Sequence, residues 1–231
     1  LELLREHPNH PSLMHGLADA YITGRRYQEA DDAYALAQRV QPKNLWLRLG
    51  EANALVALGE PSLAKGVLER MGDPADSKLI EAMFRTSLAI ARMEADLLAR
   101  SGKVTEAYEK YAILLEVDPG WETLGGMARL YVSRWQYPVA QAFFEEALDL
   151  SPGNSDLEMG VIEVMMARER LEDAQHRVGA LVAVDPAPAH LRLAASVERR
   201  LQIQRAIDAA LLGRLDESDR ILEALAEVWP K

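Results

Sequence analysis

Residues 11–44 read PSLMHGLADAYITGRRYQEADDAYALAQRVQPKN. Met14, Leu17, Ala18 and Tyr21 fall at i, i+3, i+4 and i+7, which places one apolar stripe along a helix. A break follows near Gly24, and a second stripe runs through Ala30, Tyr34 and Ala37 until Pro42 closes it. Small residues such as Ala18 and Ala30 let the two helices approach closely. One such pair cannot bury its own faces, so neighbouring pairs must stack.

The same offsets return along the chain. Residues 121–154 repeat them with Leu124, Met127, Ala128, Tyr131, Ala140, Phe144, Ala147 and Pro152. Residues 155–188 follow more loosely, through Val161, Met165, Ala174, Val178, Leu181 and Pro186. Residues 45–76 are a degenerate copy, strongest at Trp46, Leu49 and Gly50, with Asn53 where a tyrosine would fall. Two further copies have long first helices, from Leu79 to Leu98 before Gly102 and from Leu191 to Leu212 before Gly213. Each reads either as one helix of about 24 residues or as two shorter ones, since an insertion near three turns keeps the stripe in phase.

A larger period lies above the small one. Tyr21 and Tyr131, Ala30 and Ala140, and Pro42 and Pro152 are each 110 residues apart. The chain thus divides into a first three-repeat module at 9–119 and a second at 120–231. Residues 1–8, with Leu3, Leu4 and Pro8, read as the tail of a preceding repeat. Trp229-Pro230-Lys231 lacks the polar cap of a terminal repeat, so the chain is expected to be a fragment of a longer array.

These offsets resemble the 34-residue tetratricopeptide repeat (TPR), and the resemblance covers nearly the whole chain. It implies an all-α fold: a right-handed superhelix, or α-solenoid, of about six helix pairs, two with extended first helices. It also implies a concave groove lined by first helices and used to bind another protein. The groove positions carried over from the family are His15, Asp19, Asn53, Arg92, Asp96, Arg129 and Glu163, with Ser12, Met159 and Met166 beside them. TPR domains that clamp the C-terminal carboxylate of heat-shock chaperones use lysine and asparagine at the first-repeat positions held here by His15 and Asp19. The third-repeat pair is Ala89 and Met93, and only Asn53 matches. Asp19 would repel such a ligand, so a carboxylate clamp is not expected.

Composition narrows the function further. There is no cysteine, which removes disulfides, thiolate metal sites and a thiol nucleophile. A formal net charge of −10 gives no basic footprint for nucleic acid. No apolar run is long enough to span a bilayer. Phosphate loops, metalloprotease pairs and nucleophile elbows are missing. Neither catalysis nor a cofactor nor a metal is therefore expected. His7, His10 and His15 read as an exposed linker cluster, and Glu145–Glu146 and Asp31–Asp32 as solvated outer faces. Trp121 and Trp135 are expected to pack repeats together, and Met159, Met165 and Met166 to fill core and groove.

A finer resemblance is to the periplasmic TPR scaffolds that precede outer-membrane porins in Pel- and cellulose-type exopolysaccharide export. Degenerate Ala/Leu/Arg-rich tandem repeats carry it, and Arg exceeding Lys by 20 to 6 fits a high-GC bacterial gene. It implies a periplasmic location and a polysaccharide-modifying enzyme or synthase component as partner. The alternatives are a regulatory or secretion-chaperone adaptor, with the cytoplasm as its compartment, and a glycan-binding module.

Overall fold

The computed structural model describes residues 10–228. The expectations for residues 1–8 and for Trp229 to Lys231 lie outside the described residues, as does the side chain of Ser12. Among the described residues every regular element is an α-helix, and the chain divides into two compact units between Pro119 and Gly120.

The first unit holds α1 (Pro11–Thr23), α2 (Tyr27–Val40), α3 (Leu45–Leu58), α4 (Pro61–Met71), α5 (Ser77–Arg100) and α6 (Val104–Val117). The second holds α7 (Trp121–Ser133), α8 (Tyr137–Leu150), α9 (Ser155–Ala167), α10 (Leu171–Val184), α11 (Pro188–Leu211) and α12 (Leu215–Val228). These are six helix pairs, and the first helices α5 and α11 have 24 residues each. The α-solenoid expectation is met, and both long stretches are single helices.

Local chemistry explains the boundaries. Asn44, Asp76 and Asn154 cap α3, α5 and α9, their side chains accepting from the backbone N–H groups of Trp46, Lys78 and Asp156. Such caps satisfy donors that have no partner within the helix. Within every pair the turn contains one residue at positive φ: Arg25, Gly59, Gly102, Trp135, Glu169 and Gly213. Glycine takes this left-handed conformation freely, whereas the arginine, tryptophan and glutamate hold it against steric cost.

In the first unit, Met14, Ala18, Ala30, Tyr34 and Ala37 form a core with Leu47 and Ala54 of the next pair. Tyr34 packs against Gly50, where a Cβ would stand 2.2 Å from the ring. A second core joins Leu49, Ala52, Leu55, Val67 and Leu68 to Leu79 and Ile90 of α5, with Met83 packed beside them. The α5 extension therefore rests Leu79 and Met83 on the degenerate pair and leaves Ile80 and Phe84 half-exposed.

The second unit uses the same joint. Phe144 packs against Gly160, where a Cβ would meet the ring at 2.5 Å. Leu124, Met127, Leu157, Val161, Ile162 and Val164 are buried around α7 and α9, and Val197 and Leu201 fix α11. Tyr21 and Tyr131, expected in the core, are half-buried, while the fully buried tyrosines are Tyr34 and Tyr111. The stripe position at i+7 lies at the edge of the helix face: Tyr21 is covered by Arg26, and Tyr131 stacks on Phe143.

Candidate functional site

The candidate groove residues of the first unit are largely engaged within the chain. Asp19 accepts a hydrogen bond from the Tyr34 hydroxyl at 2.5 Å and lies 3.4 Å from His15 Nε2. The His15 ring meets Tyr34 edge-on at 5.6 Å, and its Nδ1 is buried without a partner. Burial, and then the Asp19 bond, push the Tyr34 phenol far above its ordinary value, so it remains a donor. Asp96 accepts from Tyr111 in the same way at 2.5 Å. Asn53 Oδ1 accepts from the buried Thr86 hydroxyl at 2.8 Å, tying α3 to α5. Arg92 pairs with Asp118 at 2.9 Å beyond the end of α6.

The second unit differs. Arg129 on α7 and Glu163 on α9 are exposed, and neither has a hydrogen-bond or ion-pair partner among the described residues. Of the seven candidates, His15 and Asp19 are the one pair joined to each other by an ion pair or hydrogen bond. Glu163 sits at the rim of a cavity of about 800 Å³. Its walls come from Trp135 and Tyr137 at the α7–α8 turn, Met166 of α9, Glu169 at the next turn, and Leu193, Arg200 and Ile203 of α11. Desolvation by these walls pushes the Glu163 carboxyl above the ordinary carboxylate range, although the side chain still opens to water. Arg200 Nη1 donates to the Met166 carbonyl at 3.3 Å, at the C-terminal end of α9.

Trp135 corrects the expectation that it packs repeats together. Its side chain is 78% exposed, edge-on to Tyr137 at 6.2 Å. A left-handed backbone at the turn carries the indole away from the helix pair's core, where it lines the cavity. Met165 and Met166 are buried, and Met166 also floors the cavity, as filler residues should.

Sequence reasoning did not single out two buried polar residues. His190 is buried and holds the Asp185 carbonyl at 2.8 Å, pinning the loop before α11. Thr86 is hidden in the long helix with no sequence signal. The tyrosine–aspartate bonds, by contrast, did leave one: aspartate stands fifteen residues before tyrosine in both pairs that form them. Among the described residues no group of three or more potential ligands is arranged to hold a metal ion, and no helix is long and apolar enough to cross a membrane.

Residues 135–197 match the family model of the tetratricopeptide repeat. The human protein O-mannosyl-transferase TMTC1 is 23% identical over 197 residues, covering 68% of this chain and 21% of its own length. The chain thus spans about a fifth of the curated relative it matches. Among solved structures, yeast Tom70 superposes with a TM-score of 0.58 at 15% identity, covering 94% of this chain and 45% of that one. PilW, a type IV pilus biogenesis factor, superposes with a TM-score of 0.54 at 15% identity over 94% of this chain and 92% of its own. These likenesses establish a fold of stacked TPR-type helix pairs.

Proposed function

We propose that the chain is a non-catalytic protein-interaction scaffold that presents the first-helix face of its second unit to another protein. The observation that carries this is the contrast between the units. Asp19, Asn53, Arg92 and Asp96 spend their polar groups inside the first unit, while Arg129 and Glu163 stand exposed and unpartnered. Polar groups without internal partners break no bond within the chain when a partner surface engages them, and mixed charge sets its register. TPR-type helix pairs are suited to this because their first helices form a continuous wall.

More narrowly, the scaffold is assigned to the bacterial periplasm, beside an outer-membrane export pore, where it gathers components that modify and export an exopolysaccharide. The resemblance of the degenerate Ala/Leu/Arg-rich repeats to such scaffolds supports this, and PilW offers a biogenesis factor of similar fold. Site-specific photo-crosslinking in the native cell tests it. A cross-linker at Arg129 should capture a polymer-modifying enzyme or synthase component, and deleting residues 120–231 should abolish polymer secretion. Capture of cytoplasmic regulators alone, with secretion intact, would move the chain to the adaptor class.

A further inference from the structure

We propose that the cavity between Trp135 and Glu163 receives lysine or arginine side chains from an extended basic segment of a partner protein. This rests on the scaffold reading and names the chemistry of what the scaffold holds.

Backbone and exposure point first to a ligand. Trp135 occupies the left-handed position that glycine fills at the α3–α4, α5–α6 and α11–α12 turns. A large aromatic held there against its backbone preference, with most of its ring in water, has only the edge contact with Tyr137 to show for it within its own fold.

The matching corner of the first helix pair supplies an internal comparison. There Arg26 follows the left-handed Arg25, and its guanidinium lies over the Tyr21 ring at 4.6 Å. One module later, 110 residues on, Trp135 and Gln136 replace the two arginines. None of the described residues places a cation over the Trp135 ring. The corner that carries its own cation in one copy offers an aromatic face in the other.

Charge then selects the occupant. Glu163 and Glu169 line the cavity, and neither carboxylate has an ion-pair partner among the described residues. The cavity's one cation, Arg200, is already turned to the Met166 carbonyl. An anion entering would meet two carboxylates against one guanidinium, and a neutral sugar would leave that net negative charge uncompensated. A cationic side chain can put its charge between the carboxylate and the indole face while its alkyl stem lies on Met166, Leu193 and Ile203. The volume of about 800 Å³ exceeds one such side chain, which favours a continuous segment.

The test is fluorescence anisotropy with a labelled dodecapeptide of alternating arginine and serine, against the same peptide with citrulline for arginine. Trp135→Gly and Glu163→Gln should each weaken the arginine peptide roughly fivefold or more, with thermal midpoints confirming that both variants fold. Asp149→Asn, on the exposed face of α8, should leave affinity unchanged, and the citrulline peptide should bind far more weakly. Equal weakening by Asp149→Asn would overturn the proposal in favour of diffuse attraction to an acidic protein. Equal binding of the citrulline peptide would overturn it by showing that the site does not read charge, and displacement by a neutral hexasaccharide would overturn it in favour of a glycan site. If Arg129 cross-links to a protein partner persist in the Trp135→Gly, Glu163→Gln double variant, the cavity proposal fails while the scaffold reading stands. If the wild type captures no protein at all, the scaffold reading itself fails.

Discussion

The Tyr111 hydroxyl donates a 2.5 Å hydrogen bond to Asp96 Oδ1, fifteen residues earlier in the chain. The bond joins the second helix of its pair to the first, and Tyr34 and Asp19 repeat it with the same separation. At the corresponding positions of the fourth and fifth pairs stand Arg129 with Phe144 and Glu163 with Val178. A phenylalanine or valine offers no hydroxyl, so the first-helix charge is left free to face outward. In these four pairs the second-helix residue thus decides whether the first-helix side chain at this position is bonded within its own pair.

Removing the acceptor should therefore cost stability in the first unit. Asp96→Ala leaves the phenol of the buried Tyr111 without its charged acceptor and should destabilise by about 1–3 kcal/mol. Tyr111→Phe should cost less, and adding it to Asp96→Ala should cost little more. Urea denaturation of the single and double variants checks this; strictly additive losses would mean that the two groups do not interact.

Glycines at the inter-pair joints should tolerate no side chain. Gly50→Ala and Gly160→Ala would drive a methyl into the rings of Tyr34 and Phe144, costing roughly 1–3 kcal/mol each. Gly16→Ala, with open space around the new carbon in the middle of α1, should instead gain about 0.5–1 kcal/mol. Denaturation midpoints that move the same way for all three would refute the close approach.

Trp135→Gly should behave unlike an ordinary exposed substitution. Relief of the left-handed strain, about 1 kcal/mol, offsets the extra freedom that glycine has in the unfolded chain. The expected change in unfolding free energy is near zero or a small gain. A loss well beyond about 1 kcal/mol would mean that the indole supports the fold after all.

Glu163 sets a pH dependence of defined sign. Because burial raises its carboxyl above the ordinary value of 4.5, the folded chain takes up this proton earlier than the unfolded chain as pH falls. The group's penalty is absent in acid and grows as pH rises from the ordinary value through the raised one. Glu163→Gln should thus melt above the wild type near pH 7, and the gap should close near pH 4. A lower midpoint for the variant at neutral pH would contradict the desolvated site.

Much of the fold was legible because burial imposes a period. Ala18, Ala30, Tyr34 and Ala37 must recur wherever helix pairs stack, so the six pairs could be read directly, while the continuity of the two long stretches could not, because an insertion of about three turns keeps the stripe in phase either way. The site was less legible. Whether Asp19 faces a ligand or a phenol depends on a neighbour across a turn, and the family's groove positions carry no such information. The Arg92–Asp118 pair reaches from α5 past the end of α6, a distance no helical period encodes. Trp135 was expected to pack because aromatics at turns usually find a neighbour; its left-handed backbone turns it outward instead.

Affinity for the cross-linked protein partner, compared between Arg129→Glu and Asp149→Arg, is the most direct measurement of the scaffold's working face. Both residues are exposed, the first on α7 and the second on α8, so neither change should disturb the core. Arg129→Glu should weaken binding by about 1–3 kcal/mol while Asp149→Arg leaves it unchanged. Weakening by Asp149→Arg with Arg129→Glu at wild-type affinity would place the partner on the second-helix face and contradict the assignment.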